Sequence, residues 1–333
     1  MSTAIGPEPD SLLGEVGESL MIAAVLAAAD RLRVLDHLDR SPVDPAALVA
    51  DGGLDQRSAP LLLAALHGLG LTTQDGDGRY RAGEPGLAAA AGVLLDMSRS
   101  LTEVLCTGRR GLSVDRRQDA ERYYPAVVGP LGQAMTGPAG RAAALLAQHR
   151  PAYRDVLDLG AGAAPWSLAV ARRLPACRVT ALDLPGTLAM TRAAVTAAGL
   201  AGRYAFHAGD LFADPLPRET YDLVFAANLC HLFPAAVNRR LLRSAARLTR
   251  AGGTVAVIDI LPDAAGRHRR AVALYALTLY ARTSAGQLHT YDDHREWLTA
   301  AGFTGVRRTD VAGDLPLTMI TAVRGPAADP GDE

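Results

Sequence analysis

The sequence contains no lysine: apart from histidine, its 34 basic side chains are all arginines, against 35 acidic ones. The net charge of −1 indicates neither nucleic acid nor an anionic membrane as a partner, because both attract an excess of positive charge. Cysteine is scarce: Cys106, Cys177 and Cys230 are isolated, odd in number and without the spacing of metal ligands. We therefore expect no disulfide framework, no bound metal and a reducing, cytoplasmic environment.

Long hydrophobic runs are missing as well. The longest one, over residues 20–29, is shorter than the roughly 20 apolar residues that cross a bilayer as a helix. The first ten residues are polar and lack the basic start of a secretory signal peptide. These absences predict a protein without a membrane segment or an export signal.

The chain does have apolar material, since 49% of its 333 residues are hydrophobic, and its length suits about two domains. From residue 155 onward, apolar strands alternate with helical segments, which is typical of a parallel sheet with right-handed crossovers. Two later strands, 303–309 and 315–323, are expected to close this sheet with an antiparallel hairpin.

The region before the sheet is predicted to be helical. Helices are expected over 11–38, over 45–50 with Asp44 as N-cap, and over 57–69, followed by a hairpin whose turn lies at 75–78. Three helices and a hairpin favour a winged helix. Its candidate recognition helix has one arginine and no polar face, so a DNA-binding regulator is the weaker alternative. The alanine- and leucine-rich first helix is expected to bury its apolar face against a second copy of the chain.

Residues 84–150 are interpreted as helical and irregular, with breaks at Gly129-Pro130 and Gly137-Pro138. The predicted organisation is a winged-helix dimerisation domain over 1–95, a helical connector and active-site cover over 96–150, a Rossmann-like catalytic domain over 151–325 and a disordered tail over 326–333.

The most informative segment is a strand that runs into a turn of small residues. A dinucleotide fingerprint requires glycine at its first, third and sixth positions, but the sixth position here is Pro165. The pattern that fits is acid-x-Gly-x-Gly-x-small, with Asp158, Gly160, Gly162 and Ala164. Such a turn lets bare backbone approach a ligand. The alternative is a glycine turn that only joins strand to helix.

Acidic residues follow the next two predicted strands. Asp183 ends the second strand 25 residues after Asp158, near the roughly 20-residue spacing at which a carboxylate accepts from ribose hydroxyls. Asp210, in Gly209-Asp210-Leu211-Phe212, follows the third strand. Taken alone, that segment could equally be an ordinary turn. Together the two acids indicate a cofactor that carries a nucleoside.

A histidine follows the fourth strand, and an acid ends the fifth. His231 comes just after Asn228, and Asp259 ends the strand that begins at residue 255. Because ligands bind at the carboxyl ends of strands in open α/β sheets, both side chains are expected at one edge. A carboxylate on one imidazole nitrogen would fix the tautomer and leave the other nitrogen free as a base.

The small-residue turn resembles motif I of the class I S-adenosylmethionine (SAM) methyltransferases. The full order of winged helix, motif I, Asp183, Gly209-Asp210, His231 and Asp259 resembles the two-domain small-molecule O-methyltransferases, among them plant phenolic enzymes and bacterial polyketide-tailoring enzymes. The resemblance covers almost the whole chain. It implies a Rossmann-like SAM methyltransferase sheet with a mainly helical, winged-helix N-terminal domain that forms a homodimer.

The resemblance also implies roles for particular residues. His231 would deprotonate the acceptor hydroxyl, Asp259 would orient His231, and Met135 would lie beside the acceptor. The implied contacts to SAM, or to its product S-adenosylhomocysteine, are Asp158, Gly160, Gly162, Asp183, Leu184, Gly209, Asp210, Leu211, Phe212, Asn228 and Phe233. Further candidate substrate residues are Tyr275, Tyr280 and Thr283, on the helix before residue 289, and His289 itself. The alternative for each of the first three is ordinary core packing.

The sequence departs from the family pattern at two acids. Leu288 stands where a second supporting acid is expected, and Leu232 stands where an acid often follows the catalytic histidine. His289 is a candidate substitute or a plain loop residue. The favoured function is methyl transfer to a hydroxyl of an aromatic or polyketide-like molecule. The alternatives are C- or N-methylation, or hydroxylation or decarboxylation by a SAM-bound relative.

Overall fold

The computed structural model describes residues 12–50, 54–83, 86–150, 153–262, 266, 268–312 and 316–326. They fall into two compact units, one ending at Gly108 and the other beginning at Arg109. Residues 327–333 of the predicted tail lie outside the described part of the chain.

In its described residues the first unit contains five helices and a hairpin: α1 (Leu12–Arg31), α2 (Val34–Arg40), α3 (Pro45–Ala50), α4 (Ser58–Gly68), β1 (Thr72–Gln74), β2 (Tyr80–Ala82) and α5 (Leu87–Thr107). The two strands pair antiparallel, as the turn residues predict. Asp44 caps α3 by accepting from the Ala46 N–H at 2.7 Å. The domain boundary predicted after residue 95 lies inside α5, and the first unit ends at Gly108.

The helix expected over 11–38 is in fact two helices. Arg33 adopts a left-handed backbone conformation with φ of 57° and separates α1 from α2. Val34, Leu35 and Leu38 are buried in the core of the first unit. The break lets α2 turn its apolar side chains into that core, which a straight continuation of α1 would not do. Helical periodicity alone does not reveal such a break.

Helix α1 keeps much of its apolar surface in solvent. Leu13 is 75% exposed, and Leu20 and Met21 are each 65% exposed. Val16 is also exposed. A helix that shows several large apolar side chains to water is typical of an interaction surface.

The second unit begins with two helices and continues as an α/β sheet. Its elements are α6 (Arg117–Ala134), α7 (Thr136–His149), β3 (Asp155–Leu159), α8 (Pro165–Arg173), β4 (Arg178–Asp183), α9 (Pro185–Ala197), β5 (Tyr204–Ala208), β6 (Tyr221–Ala227), α10 (Ala235–Leu248), β7 (Thr249–Ile260), α11 (Arg269–Arg282), α12 (Tyr291–Ala300), β8 (Phe303–Asp310) and β9 (Leu317–Arg324).

The seven strands of the second unit lie in the order β5-β4-β3-β6-β7-β9-β8. The strands from β5 to β7 are parallel, and β9 pairs antiparallel with both β7 and β8. The predicted C-terminal hairpin is therefore confirmed. From β3 the strands are added on one side as β4 and β5, and then on the other side as β6 and β7, so the strand order reverses between β3 and β6. In such sheets ligands bind at the carboxyl ends of the strands beside that point.

The segment before the sheet, interpreted as helical and irregular, contains α5, α6 and α7, with an irregular stretch over 108–116. Pro130 lies inside α6, which also contains Pro125, and Pro138 lies in the first turn of α7. The predicted break at Gly129-Pro130 is therefore wrong. Tyr123 and Val127 are buried on one side of α6, and such packing outweighs the cost of a proline that donates no hydrogen bond.

Among the described helices, none has both the length and the apolar character required to span a bilayer.

Candidate active site

The turn after β3 exposes backbone at the carboxyl edge of the sheet. Gly160, Gly162 and Ala164 all have positive φ, at 67°, 57° and 57°. A Cβ atom on Gly160 would lie 3.2 Å from the Leu229 side chain. Glycine is therefore required at Gly160 both for its backbone conformation and for space. The turn therefore has small residues and a left-handed backbone at this edge of the sheet.

Asp183, at the end of β4, contacts the same turn. Its Oδ2 atom accepts from the Gly162 N–H at 2.8 Å, and its Oδ1 atom accepts from the Leu184 N–H at 2.7 Å. Burial raises the pKa of Asp183, while these two amides oppose the rise. The two amide hydrogen bonds hold the Asp183 side chain in place against the turn.

Asp158 lies in the core and not on the ligand side of the turn. Its side chain is 1% exposed and accepts from Ser167 Oγ at 2.5 Å. Tyr204 in turn donates to Ser167 at 3.2 Å. Burial raises the pKa of Asp158 to about 7. The expectation that this carboxylate contacts the cofactor is corrected: it supports the turn from within the protein.

The loop after β5 supplies the second acid. Gly209 donates its N–H to the Asp183 carbonyl at 3.0 Å. Asp210 Oδ1 accepts from the N–H groups of Phe212 and Ala213 at 2.8 and 3.1 Å, which fixes the loop. Leu211 is half-buried beside Phe212.

An aromatic pair lies at the same edge of the sheet. The rings of Phe212 and Phe233 meet edge to face with centroids 4.9 Å apart. Asn228, at the end of β6, has a left-handed backbone with φ of 52° and donates its N–H to the Ile258 carbonyl. The loops after β5 and β6 therefore contact each other through these two rings.

His231 lies in a single 3₁₀ turn after β6 and is 4% exposed. Its Nδ1 atom is 2.5 Å from Asp259 Oδ1, and its backbone N–H donates to Asp259 Oδ2 at 3.0 Å. Asp259 also accepts from the Ile260 N–H at 2.8 Å. Burial would raise the pKa of Asp259, but the attraction of His231 and the hydrogen bonds hold it below its usual value. Asp259 therefore holds the ring with Nε2 as the acceptor.

The Nε2 atom of His231 faces a phenol. Tyr275, on α11, has its hydroxyl 2.9 Å from Nε2, and Arg282 donates to the same hydroxyl at 3.1 Å. Burial raises the pKa of Tyr275 to about 12, so its hydroxyl is protonated at neutral pH and donates to Nε2. Sequence reasoning named Tyr275 only as a lining group and missed Arg282, because α11 carries no recognisable motif.

In the described part of the chain, none of the other predicted substrate residues makes a hydrogen bond to the His231 ring. Thr283 lies near the His231 backbone, because a Cβ atom on Gly286 would meet both the Thr283 hydroxyl and the His231 carbonyl oxygen. Tyr280 is 42% exposed, and Arg110 lies over its ring at 4.8 Å. Thr283 is buried, and its hydroxyl donates to the Leu279 carbonyl and accepts from Gly286. Met135 lies between α6 and α7, partly buried against the core.

His289 does not replace the absent acid at Leu288. It is buried, with Nε2 at 2.9 Å from the Phe233 carbonyl and 3.0 Å from the Asn238 side chain. It therefore holds the loop that carries Phe233. His231 accordingly has one supporting acid, Asp259, among the described residues.

Asp259 and two buried neighbours form a group of three possible metal ligands. Ligand atoms of Cys230, Asp259 and His294 lie within 4.8 Å of one another. Burial raises the pKa of the Cys230 thiol well above its usual value, and a protonated thiol is a poor ligand because metals bind the thiolate. Asp259 already accepts from His231 and Ile260. The donor set therefore does not favour a metal.

Known proteins resemble the chain along most of its length. A family model of the O-methyltransferase domain matches residues 142–304. Acetylserotonin O-methyltransferase of Mus musculus is 30% identical, over 95% of this chain and 89% of that protein. The 3-hydroxy-5-methyl-1-naphthoate 3-O-methyltransferase of Streptomyces sahachiroi is 29% identical, over 94% of this chain and 95% of that protein. The structure of human N-acetylserotonin methyltransferase in complex with SAM has a TM-score of 0.68 at 23% identity, covering 98% of this chain and 100% of that one.

The family match and these relatives show that the protein is a SAM-dependent methyltransferase. The chain belongs to the O-methyltransferase family, whose members act on small molecules. SAM is the cofactor, and the residues present fit it: the turn after β3 has positive φ at Gly160 and Gly162, and the Asp183 carboxylate lies against this turn.

Proposed function

We propose that the protein methylates a hydroxyl group of an aromatic or polyketide-like small molecule, with His231 as the general base. The observation that carries this proposal is the hydrogen bond between His231 Nε2 and the Tyr275 hydroxyl at 2.9 Å. The phenol of Tyr275 lies at Nε2, which is the ring nitrogen that does not contact Asp259. An acceptor phenol that replaced it would have its proton in reach of the base.

SAM is proposed to lie along the turn and the two loops beside it. Asp183 would accept from the ribose hydroxyls, Asp210 from the adenine amino group, and Phe212 and Phe233 would flank the ring. Leu184, Gly209, Leu211 and Asn228 would shape the same site. When bound, SAM supplies a methyl group on a positively charged sulfur.

The residues of this chain supply position and a proton acceptor. Held by Asp259 on its Nδ1 side, His231 presents Nε2 to the acceptor hydroxyl as the C–O bond forms. A free phenol has a pKa of about 10, so the hydroxyl arrives protonated and needs this acceptor. Tyr275 returns to Nε2 when the acceptor leaves.

The retained His231–Asp259 pair favours methyl transfer over the alternatives of hydroxylation or decarboxylation, because neither alternative has an evident use for an oriented base at this place. The relative from Streptomyces sahachiroi is named for methylation of a hydroxynaphthoate, and this supports an aromatic acceptor.

Incubation with methyl-labelled SAM and a panel of phenols, enols and amines tests the function. Label transfer to phenolic oxygen is the expected result. Transfer to carbon or nitrogen alone, or conversion of the acceptor without transfer of label, would contradict the proposal.

We also propose that two copies associate through α1. Its exposed side chains Leu13, Val16, Leu20 and Met21 make a surface that a second α1 could cover, and apolar self-complementary patches are typical of two-fold dimers.

A further inference from the structure

Arg282, the last residue of α11, holds a cation inside the candidate active site. Its Nη1 atom donates to the Tyr123 hydroxyl at 2.9 Å and its Nη2 atom to the Tyr275 hydroxyl at 3.1 Å. The guanidinium carbon lies 5.8 Å from the centre of the Tyr123 ring and 5.6 Å from that of Tyr275. Within the described residues these contacts are all to neutral groups, and the buried Nε atom has no hydrogen-bond partner.

Such a cation is costly to keep away from water. Hydroxyls and ring faces offset part of the cost, but a carboxylate offsets much more, because it accepts two parallel hydrogen bonds from a guanidinium. Arg250, whose side chain is 42% exposed, has such a partner, since it binds Asp155 and Asp222 at 2.7 and 3.0 Å. Among the described residues, no carboxylate binds Arg282 in this way.

The position of Arg282 connects this missing anion to the reaction. The Tyr275 hydroxyl is shared between Arg282 Nη2 and His231 Nε2. An acceptor hydroxyl that takes its place at Nε2 therefore lies about one further hydrogen-bond length from the guanidinium. Oxygens on neighbouring positions of one aromatic ring can satisfy both groups at once.

We propose that Arg282 binds a carboxylate that the acceptor carries next to its reacting hydroxyl, so that the preferred acceptors are aromatic hydroxy acids. The proposal rests on the proposed function of the same site. When Arg282 binds the carboxylate of the acceptor, this contact orients the aromatic ring of the acceptor and directs its hydroxyl to His231. Although burial disfavours the cation, the surrounding tyrosines hold the pKa of Arg282 above its usual value, so the charge is present at neutral pH.

The carboxylate could have a second source, because SAM carries one on its methionine part. The acceptor is favoured because Arg282 is connected through Tyr275 to the nitrogen at which the acceptor would be deprotonated. The two sources predict different losses when Arg282 is changed, and the experiment separates them.

The test compares acids with their neutral amides on wild type, Arg282→Gln and Arg282→Lys. The probes are salicylate and salicylamide, and 3-hydroxy-2-naphthoate and 3-hydroxy-2-naphthamide. Binding to the protein loaded with S-adenosylhomocysteine is measured by calorimetry, methyl transfer by label, and the Kd of SAM separately. Each variant is its own reference in the ratio of acid to amide, so general damage to the fold cancels.

Wild type is expected to prefer an acid over its amide by about 100-fold, the equivalent of one strong charge-assisted pair. Arg282→Gln should abolish the preference, Arg282→Lys should keep part of it, and the Kd of SAM should change less than about threefold. Wild-type methylation of neutral phenols without preference would overturn the inference and leave the proposed function intact. A Kd of SAM weakened about 100-fold in Arg282→Gln would assign the cation to SAM and also overturn it, as would the absence of binding by every acid.

Discussion

Asp259 contacts His231 twice, through the ring at Nδ1 and through the backbone N–H. One carboxylate thereby fixes both the orientation of the imidazole and the course of the chain at the end of β6. At the position where the family resemblance predicts a second supporting acid, the chain has Leu288.

Asp259→Asn should slow methyl transfer by about 10²- to 10⁴-fold, because an amide can donate to Nδ1 and stabilise the wrong tautomer. Kd for SAM should stay within about threefold of wild type, since Asp259 makes no part of the proposed SAM site. Turnover with labelled SAM and calorimetry measure the two quantities. Turnover equal to wild type would show that the pair is only structural.

Asp183→Ala should weaken SAM binding by about 100-fold, which is the loss of hydrogen bonds to a charged acceptor. The matched control is Asp222→Ala. Asp222 is also a largely buried carboxylate of the same sheet, bound to the N–H groups of Arg154 and Asp155. The control should lower thermal stability and leave Kd unchanged. Equal losses of SAM affinity in both variants would refute the ribose contact.

Stability should depend on pH through Asp158, whose pKa is about 7 in the folded protein against an ordinary 3.8. A raised pKa means that the folded state favours the protonated acid. The stability from this group is therefore fully present below about pH 4 and is lost as the pH rises through about 7. Asp158→Asn does not titrate and can still accept from Ser167.

The free energy of unfolding in urea, measured for both proteins between about pH 5 and 8, checks this expectation. The free energy of unfolding of Asp158→Asn should increase relative to that of wild type as the pH rises. Contributions of the other groups cancel in the difference. Parallel curves would contradict a raised pKa at Asp158.

The sequence predicted the parts of the site that lie at strand ends. Asp183, His231 and Asp259 each follow an apolar run, and parallel strands bring such positions to one edge whatever the details of packing. The direction of Asp158 was not predictable in the same way, because a motif spacing does not say which side of the turn a carboxylate faces. Its contact with Ser167 depends on how α8 packs.

The contact of Tyr275 with His231, and the place of Arg282 beside Tyr275, could not be predicted from local pattern either. These residues are 44 and 51 residues beyond His231, and α11 brings the Tyr275 hydroxyl to the His231 ring. The helix boundary at Arg33 and the prolines inside α6 were missed for a related reason: tertiary packing decided them against local preference.

Association through α1 predicts that Leu20→Glu together with Met21→Glu gives a monomer, because buried charges would replace the apolar contact. Leu61→Glu is the control, since Leu61 is 68% exposed on α4 and lies on a different helix of the same unit. Light scattering after size exclusion gives the mass. A monomeric wild type, or a dimer that persists in the double variant, would contradict this interface.

In the proposed mechanism His231 accepts the proton of the acceptor hydroxyl, while SAM is held independently by the loops beside it. Methyl transfer by His231→Gln, measured together with the Kd of this variant for SAM, tests the mechanism. We expect a Kd close to that of wild type and a rate lower by about 10²- to 10⁴-fold. A rate equal to that of wild type at unchanged affinity would show that His231 is not the base.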